Sequence, residues 1–94
     1  MLFEWDEDKN RRNRSKHGLS FETARPVFDD PQQLNLQDRH VEGEERWQTI
    51  GRIGDALVVL VAHTGSDPDG EPVVRIISAR KATRLERVKY EQAH

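Results

Sequence analysis

Residues 56–62, ALVVLVA, constrain this chain more than any other segment. The run is continuously apolar, rich in valine, and far too short to span a bilayer. It leaves no solvent face, so it reads as a central strand buried on both sides. Gly54-Asp55 just before it fits a two-residue hairpin turn, which makes residues 46–53 its antiparallel neighbour. Residues 73–77 form a further strand. With 94 residues, 34% hydrophobic against 34% charged, the chain has material for one domain (1–94) with one modest core.

The other elements announce themselves by their ends. Residues 2–5 read as a short strand with Phe3 and Trp5 on one face. Asp6 is a suitable N-cap, and Glu7 and Asp8 put acid in the first turn, where the helix dipole favours it. Lys16 and His17 fall in the last turn and Gly18 follows, so a helix covers residues 7–17. It has almost no apolar face, and its polar residues must contact a partner, a ligand or the rest of the fold. Ser20 caps a second helix carrying Phe21, Ala24, Val27 and Phe28, which Pro26 shortens or kinks. Residues 34–37 read as a brief strand, and 38–45 and 64–72 as loops. Ser78 caps a last helix over 79–92 with Ala82, Leu85 and Val88 as its apolar stripe. The order β-α-α-β-β-β-β-α describes an α+β fold: two N-terminal helices, a small antiparallel sheet and a C-terminal helix.

The net charge of −2 conceals an uneven distribution. Residues 1–25 carry six bases and five acids, 26–74 three bases and ten acids, and 75–94 six bases and two acids. Anionic partners therefore belong at the ends of the chain. The absence of cysteine excludes disulfides and thiolate metal sites, and the cytosol is the expected compartment, with no signal peptide at the start. His17, His40, His63 and His94 show no i, i+4 pairing, so no metal site and no cofactor are expected.

Several residues carry candidate chemistry, each with a plainer structural reading beside it. Lys16-His17 offers a proton handler next to a phosphate cation, or simply complements a helix dipole. Glu45-Arg46 pairs a base with a phosphate clamp, or forms a surface ion pair. Arg75 interrupts an apolar strand on the face of Val73 and Ile77, which calls for a salt bridge or a ligand. Arg80 would sit at the start of the last helix, where free N–H groups favour an anion. Arg84, one helical turn beyond, would extend a phosphate track. Tyr90 stacks on a base or belongs to the core. Arg12 reads as generic basic helix surface.

These residues also carry a family pattern. FEWDxxKxxxNxxKHGxxFxxA runs from Phe3 to Ala24, VFDDP from Val27 to Pro31, ERWxxIG from Glu45 to Gly51, and RIISARKATxxER from Arg75 to Arg87, with Tyr90 beyond. In order and spacing the blocks resemble the BrnT toxins of bacterial type II toxin–antitoxin pairs. The resemblance implies a fold similar to RelE-type toxins and metal-independent RNA cleavage that arrests translation. It also implies a BrnA-type ribbon-helix-helix antitoxin, through which DNA would be reached only indirectly. Metal-free cleavage through a 2′-OH needs proton handlers, here His17 and Glu45, and cations, here Lys16, Arg46, Arg75 and Arg80, gathered around one phosphate. The alternative is a non-catalytic module that binds a partner or nucleic acid; a DNA-binding regulator would need a recognition helix followed by a suitable second helix, which is missing.

Overall fold

A computed structural model describes residues 2–41, 44–65 and 73–93, with backbone alone at 39–41 and 44. The elements are β1 (Leu2–Glu4), α1 (Glu7–His17), α2 (Phe21–Ala24) continuing into a 3₁₀ segment (Arg25–Asp29), β2 (Leu34–Val41), β3 (Glu44–Ile53), β4 (Leu57–Thr64), β5 (Val73–Lys81) and α3 (Arg84–Gln92). Among the described residues the strands form one five-stranded sheet in the order β1-β5-β4-β3-β2. Thus β4 is central, as its apolar run requires. The sheet is mixed, not wholly antiparallel, because β1 pairs parallel with β5. Nothing local in the sequence encodes the relative direction of strands at opposite ends of a chain.

Alternation along β4 divides the core. Val59 and Val61 join Val74, Ile76 and Ala79 of β5 against Leu19, Phe21, Ala24 and Val27. Val58 and Leu60 face the other way, onto Ile50 and the Tyr90 ring of α3. Each fully buried side chain of this size contributes about 1.5–3 kcal/mol. The 3₁₀ segment comes very close to β3. A Cβ at Gly51 would stand 2.9 Å from the Val27 carbonyl oxygen, so only glycine admits this approach.

Helix α1 has the limits its caps dictate: the Asp6 carboxylate accepts from the N–H groups of Asp8 and Lys9, and Gly18 closes it at φ 72. It is held to the fold by amides. Asn13 Nδ2 donates to the carbonyls of Leu19 and Ala79, both at 2.8 Å. Its Oδ1 accepts from Ala79 N–H at 3.1 Å. The register of β1 ends at Glu4↔Arg75, so beyond it that edge of β5 has no strand neighbour among the described residues. Asn13 therefore supplies both ladder bonds that a strand would have made. Asn10 similarly accepts from Phe21 N–H at 2.9 Å and donates to Glu22 at 2.7 Å.

Three local expectations need correction. The β3–β4 turn holds residues 54–56, since Ile53 pairs with Leu57, and Ala56 belongs to the turn. Most of 38–45 is strand, in β2 and β3; residues 42–43 and 66–72 of the expected loops lie outside the described residues, as do His94 and the His40 side chain. The last helix begins at Arg84, capped by Thr83 with Glu86 completing a capping box, and residues 78–81 remain in β5. Ser78 has Lys81 three residues on, so it cannot form that reciprocal pair. A register shift leaves Ile77 between the partners of Ala62 and His63, which returns Ala79 to the face of Ile76. Leu85 and Val88 are exposed, and Tyr90 is the core residue of α3.

Candidate functional site

The first candidate lies between α1 and β5. Lys9, Arg12, Lys16 and His17 share one face of α1, at i, i+3, i+7 and i+8. With Asn13, and with Ile77 and Ser78 of β5, they line a shallow groove of about 370 Å³. The bonds from Asn13 to Ala79 fix this helix face against the strand, beside Ser78. Lys9, Lys16 and His17 make no side-chain hydrogen bond or ion pair among the described residues, while Arg12 Nε donates to the Asp8 carbonyl at 3.3 Å. Arg12, read from the sequence as generic surface, thus belongs with Lys16 and His17. Lys9 was also missed, although its seven-residue spacing from Lys16 was a usable signal.

The remaining candidate cations stand on the sheet face that carries α3. Arg46 is opposite Thr64 and Arg80 opposite Leu60, on the same side of β4. Arg75 precedes Ile76, the partner of His63, and so projects to that side too; it is exposed. Arg46 Nε is buried with no hydrogen-bond partner among the described residues. Arg80 is not at a helix N-terminus. Its guanidinium holds both Glu86 oxygens, at 2.7 and 2.9 Å. That bidentate pairing holds the Glu86 carboxyl down at about 2 and raises Arg80 above its ordinary value. Arg80 therefore fastens α3 to β5. Arg84 is exposed in the first turn of α3, on a different element from Arg80. Tyr90 is buried and donates to Asp30 Oδ2 at 2.5 Å, so it offers no ring for a base to stack on.

Glu45 is elsewhere again. With Phe28, Gln33, Asn35, Trp47, His63, Thr64, Gly65 and Val74 it lines a cleft of about 400 Å³. His63 follows Val59 and Val61 on the helix-covered face, and that parity could have revealed its burial. Its ring meets Phe28 edge-on at 5.0 Å. Nδ1 donates to the Thr64 carbonyl at 2.8 Å, and Nε2 is 2.7 Å from Thr49 Oγ1, which also reaches Asn35 Oδ1 at 2.7 Å. Burial pushes the imidazole below its usual value, despite the contrary effect of the Thr64 carbonyl. The proposed set is thus divided: Lys16 and His17 in the groove, Arg46, Arg75 and Arg80 on the α3 face, Glu45 in the cleft. Among the described residues no group of three His, Asp or Glu side chains is placed to hold a metal ion, and no helix is long and apolar enough to cross a membrane.

A family model described as the ribonuclease toxin BrnT of type II toxin–antitoxin systems matches residues 5–86. The chain belongs to the BrnT family. Among solved structures, the 1.1 Å crystal structure of the Brucella abortus ribonuclease toxin BrnT is similar in fold, with a TM-score of 0.61 and 23% sequence identity. The similarity covers 89% of this chain and 100% of that one. No curated protein matches the chain. Membership makes this BrnT-family chain the toxin of a type II toxin–antitoxin system, of ribonuclease type. The matched span includes every residue lining the groove and every residue lining the cleft.

Proposed function

We propose that this BrnT-family chain cuts RNA without a metal ion, in the groove between α1 and β5, using the substrate's own 2′-OH as nucleophile. One observation carries the reading: Lys9, Arg12 and Lys16 converge with His17 in a single groove. A phosphodiester seated there meets cations that offset the charge growing on the phosphorane. As the 2′ oxygen bonds to phosphorus its proton passes to a base, and the 5′ oxygen leaves with a proton, giving a 2′,3′-cyclic phosphate. An imidazole can serve at either end. Cleavage of this kind would arrest translation in the cytoplasm, in the manner of RelE-type toxins. A BrnA-type ribbon-helix-helix antitoxin would silence it by covering the groove, and would carry any DNA contact. Arg46 and Arg75 form a second candidate phosphate site, favoured by the buried Arg46 Nε, which has no partner among the described residues.

Cleavage of a short RNA in EDTA tests the chemistry. The expected products end in 2′,3′-cyclic phosphate, and a substrate with 2′-deoxy sugars is not cut. His17→Ala should lower the rate about a hundred- to a thousandfold with the fold intact, the loss typical of removing one preorganised group. Chelation that abolishes activity, reversed by added magnesium, refutes the metal-free reading. Full activity in His17→Ala and Lys16→Ala, with loss in Arg46→Ala and Arg75→Ala, moves the site to the sheet face.

A further inference from the structure

The cleft and the groove differ in a way that separates two tasks. Among the described residues no lysine or arginine lines the cleft, and Glu45 puts a carboxylate in it. A phosphate is therefore disfavoured there. The walls include Phe28, Trp47 and Val74, and the polar residues described there are Gln33, Asn35, Glu45, His63 and Thr64. Apolar walls with a few fixed polar groups suit a flat heteroaromatic ligand, and about 400 Å³ accommodates one.

The polar groups are held in place. Asn35 is tied through Thr49 to the buried His63 ring, whose two nitrogens are both engaged. Gln33 Nε2 donates to the carbonyls of Phe28 and Asp30, at 2.8 and 3.1 Å. Glu45 Oε1 accepts from Gln37 Nε2 at 2.7 Å, which orients the carboxylate. A carboxylate accepts hydrogen bonds and donates none. Of the four RNA bases, guanine alone presents two adjacent N–H donors, N1–H and the 2-amino group, along its pairing edge. Adenine and cytosine set an acceptor nitrogen beside their amino group, and uracil sets carbonyls on both sides of its N–H. Each of these turns a lone pair toward the carboxylate.

We propose that the cleft is a guanine-binding subsite, with the Glu45 carboxylate accepting from the N1–H and 2-amino group while Trp47 and Phe28 enclose the base. It would give the toxin a preference for RNA with guanosine near the cut, and in that respect it rests on the RNA-cleaving reading. Sequence preference thus resides on the helix-covered sheet face, apart from the cations of the groove.

Free nucleosides, which lack phosphate, probe the cleft without turnover. Guanosine, adenosine, cytidine and uridine are titrated into the intact chain, and the Trp47 indole N–H resonance is followed by NMR. Guanosine should shift that resonance and bind at least about tenfold more tightly than the others. Glu45→Gln puts an amide donor where an acceptor is needed and should erase the preference, since a hydrogen bond to a charged group accounts for roughly ten- to a hundredfold in binding. Glu45 is exposed, so this variant should fold, and Glu91→Gln on α3 serves as the control. Equal shifts with all four nucleosides, no shift at Trp47, or an unchanged preference in Glu45→Gln would each overturn the assignment. The two readings separate cleanly: His17→Ala should lose cleavage and still bind guanosine. RNA cleavage without guanosine binding removes the subsite and leaves the ribonuclease. Guanosine binding without cleavage does the reverse.

Discussion

Asn13 performs in α1 what an apolar stripe performs in most surface helices. The helix has no apolar residue, yet Asn10 and Asn13 are buried in it. Asn13 satisfies both backbone groups of Ala79 and the carbonyl of Leu19. Truncation leaves those buried groups without partners, each at a cost of about 1–3 kcal/mol. Asn13→Ala should therefore lower unfolding stability by about 2–4 kcal/mol in urea titration, with some relaxation of the helix included. A loss below about 0.5 kcal/mol would show that water replaces the amide and that the helix is held by other means. Because Asn13 also sets the groove against β5, toxicity should fall in this variant further than the remaining folded fraction accounts for.

Helix α3 docks through a charged pair and one aromatic ring. Arg80 and Glu86 are part-buried and bidentate, and the Thr83 capping box uses the same Glu86 carboxylate. The Arg80 side chain is 35% exposed, so solvent screening reduces what the lowered Glu86 pKa implies to about 1–2 kcal/mol of stability. The sign follows from the direction of the shift. Glu86 is held at about 2 in the fold against a reference of 4.5, so its contribution is complete above about 4.5 and is lost as pH falls toward 2. Glu86→Gln should thus be less stable than the parent at pH 7, and the difference should shrink by pH 3. A constant gap across that range would mean that the pair does not stabilise through charge. Arg80→Ala should show the same signature together with a near-normal cleavage rate per folded molecule. That expectation separates a structural arginine from one that touches the phosphate.

Across the whole molecule, charge placement matters more than net charge. The chain totals −2, yet the groove gathers Lys9, Arg12 and Lys16, all from the N-terminal block. Among the described residues no acid of the middle block lines it. Binding of an uncleavable 2′-deoxy oligonucleotide should therefore weaken with salt despite the acidic overall balance. For about three neutralised phosphates on a single strand the slope of log K against log salt should be roughly −2. Lys16→Ala should flatten it by about 0.7, the share of one phosphate contact. A salt-independent affinity, or a slope unchanged in Lys16→Ala, would remove the groove from the RNA path.

Local signals in the chain were enough to place α1 between Asp6 and Gly18, to shorten α2 at Pro26, and to put residues 56–62, all but Ala56, at the sheet centre. Each depends on neighbours within a few residues: a cap, a fixed proline φ, an apolar run with no face to expose. The start of α3 was also written locally, in Thr83-x-x-Glu86, but Ser78 offered a competing cap five residues earlier. That choice was decided by long-range bonds, since Ala79 is paired with Val61 on one side and Asn13 on the other. The site was less legible for the same reason. Lys16 and His17 share a groove with Lys9 and Arg12 because helical spacing is local. The separation of Glu45 from Arg46 follows from strand alternation, which sends adjacent residues to opposite faces. Which face holds a cleft, and which residues from Phe28 to Val74 meet there, is fixed only when distant segments pack across the sheet.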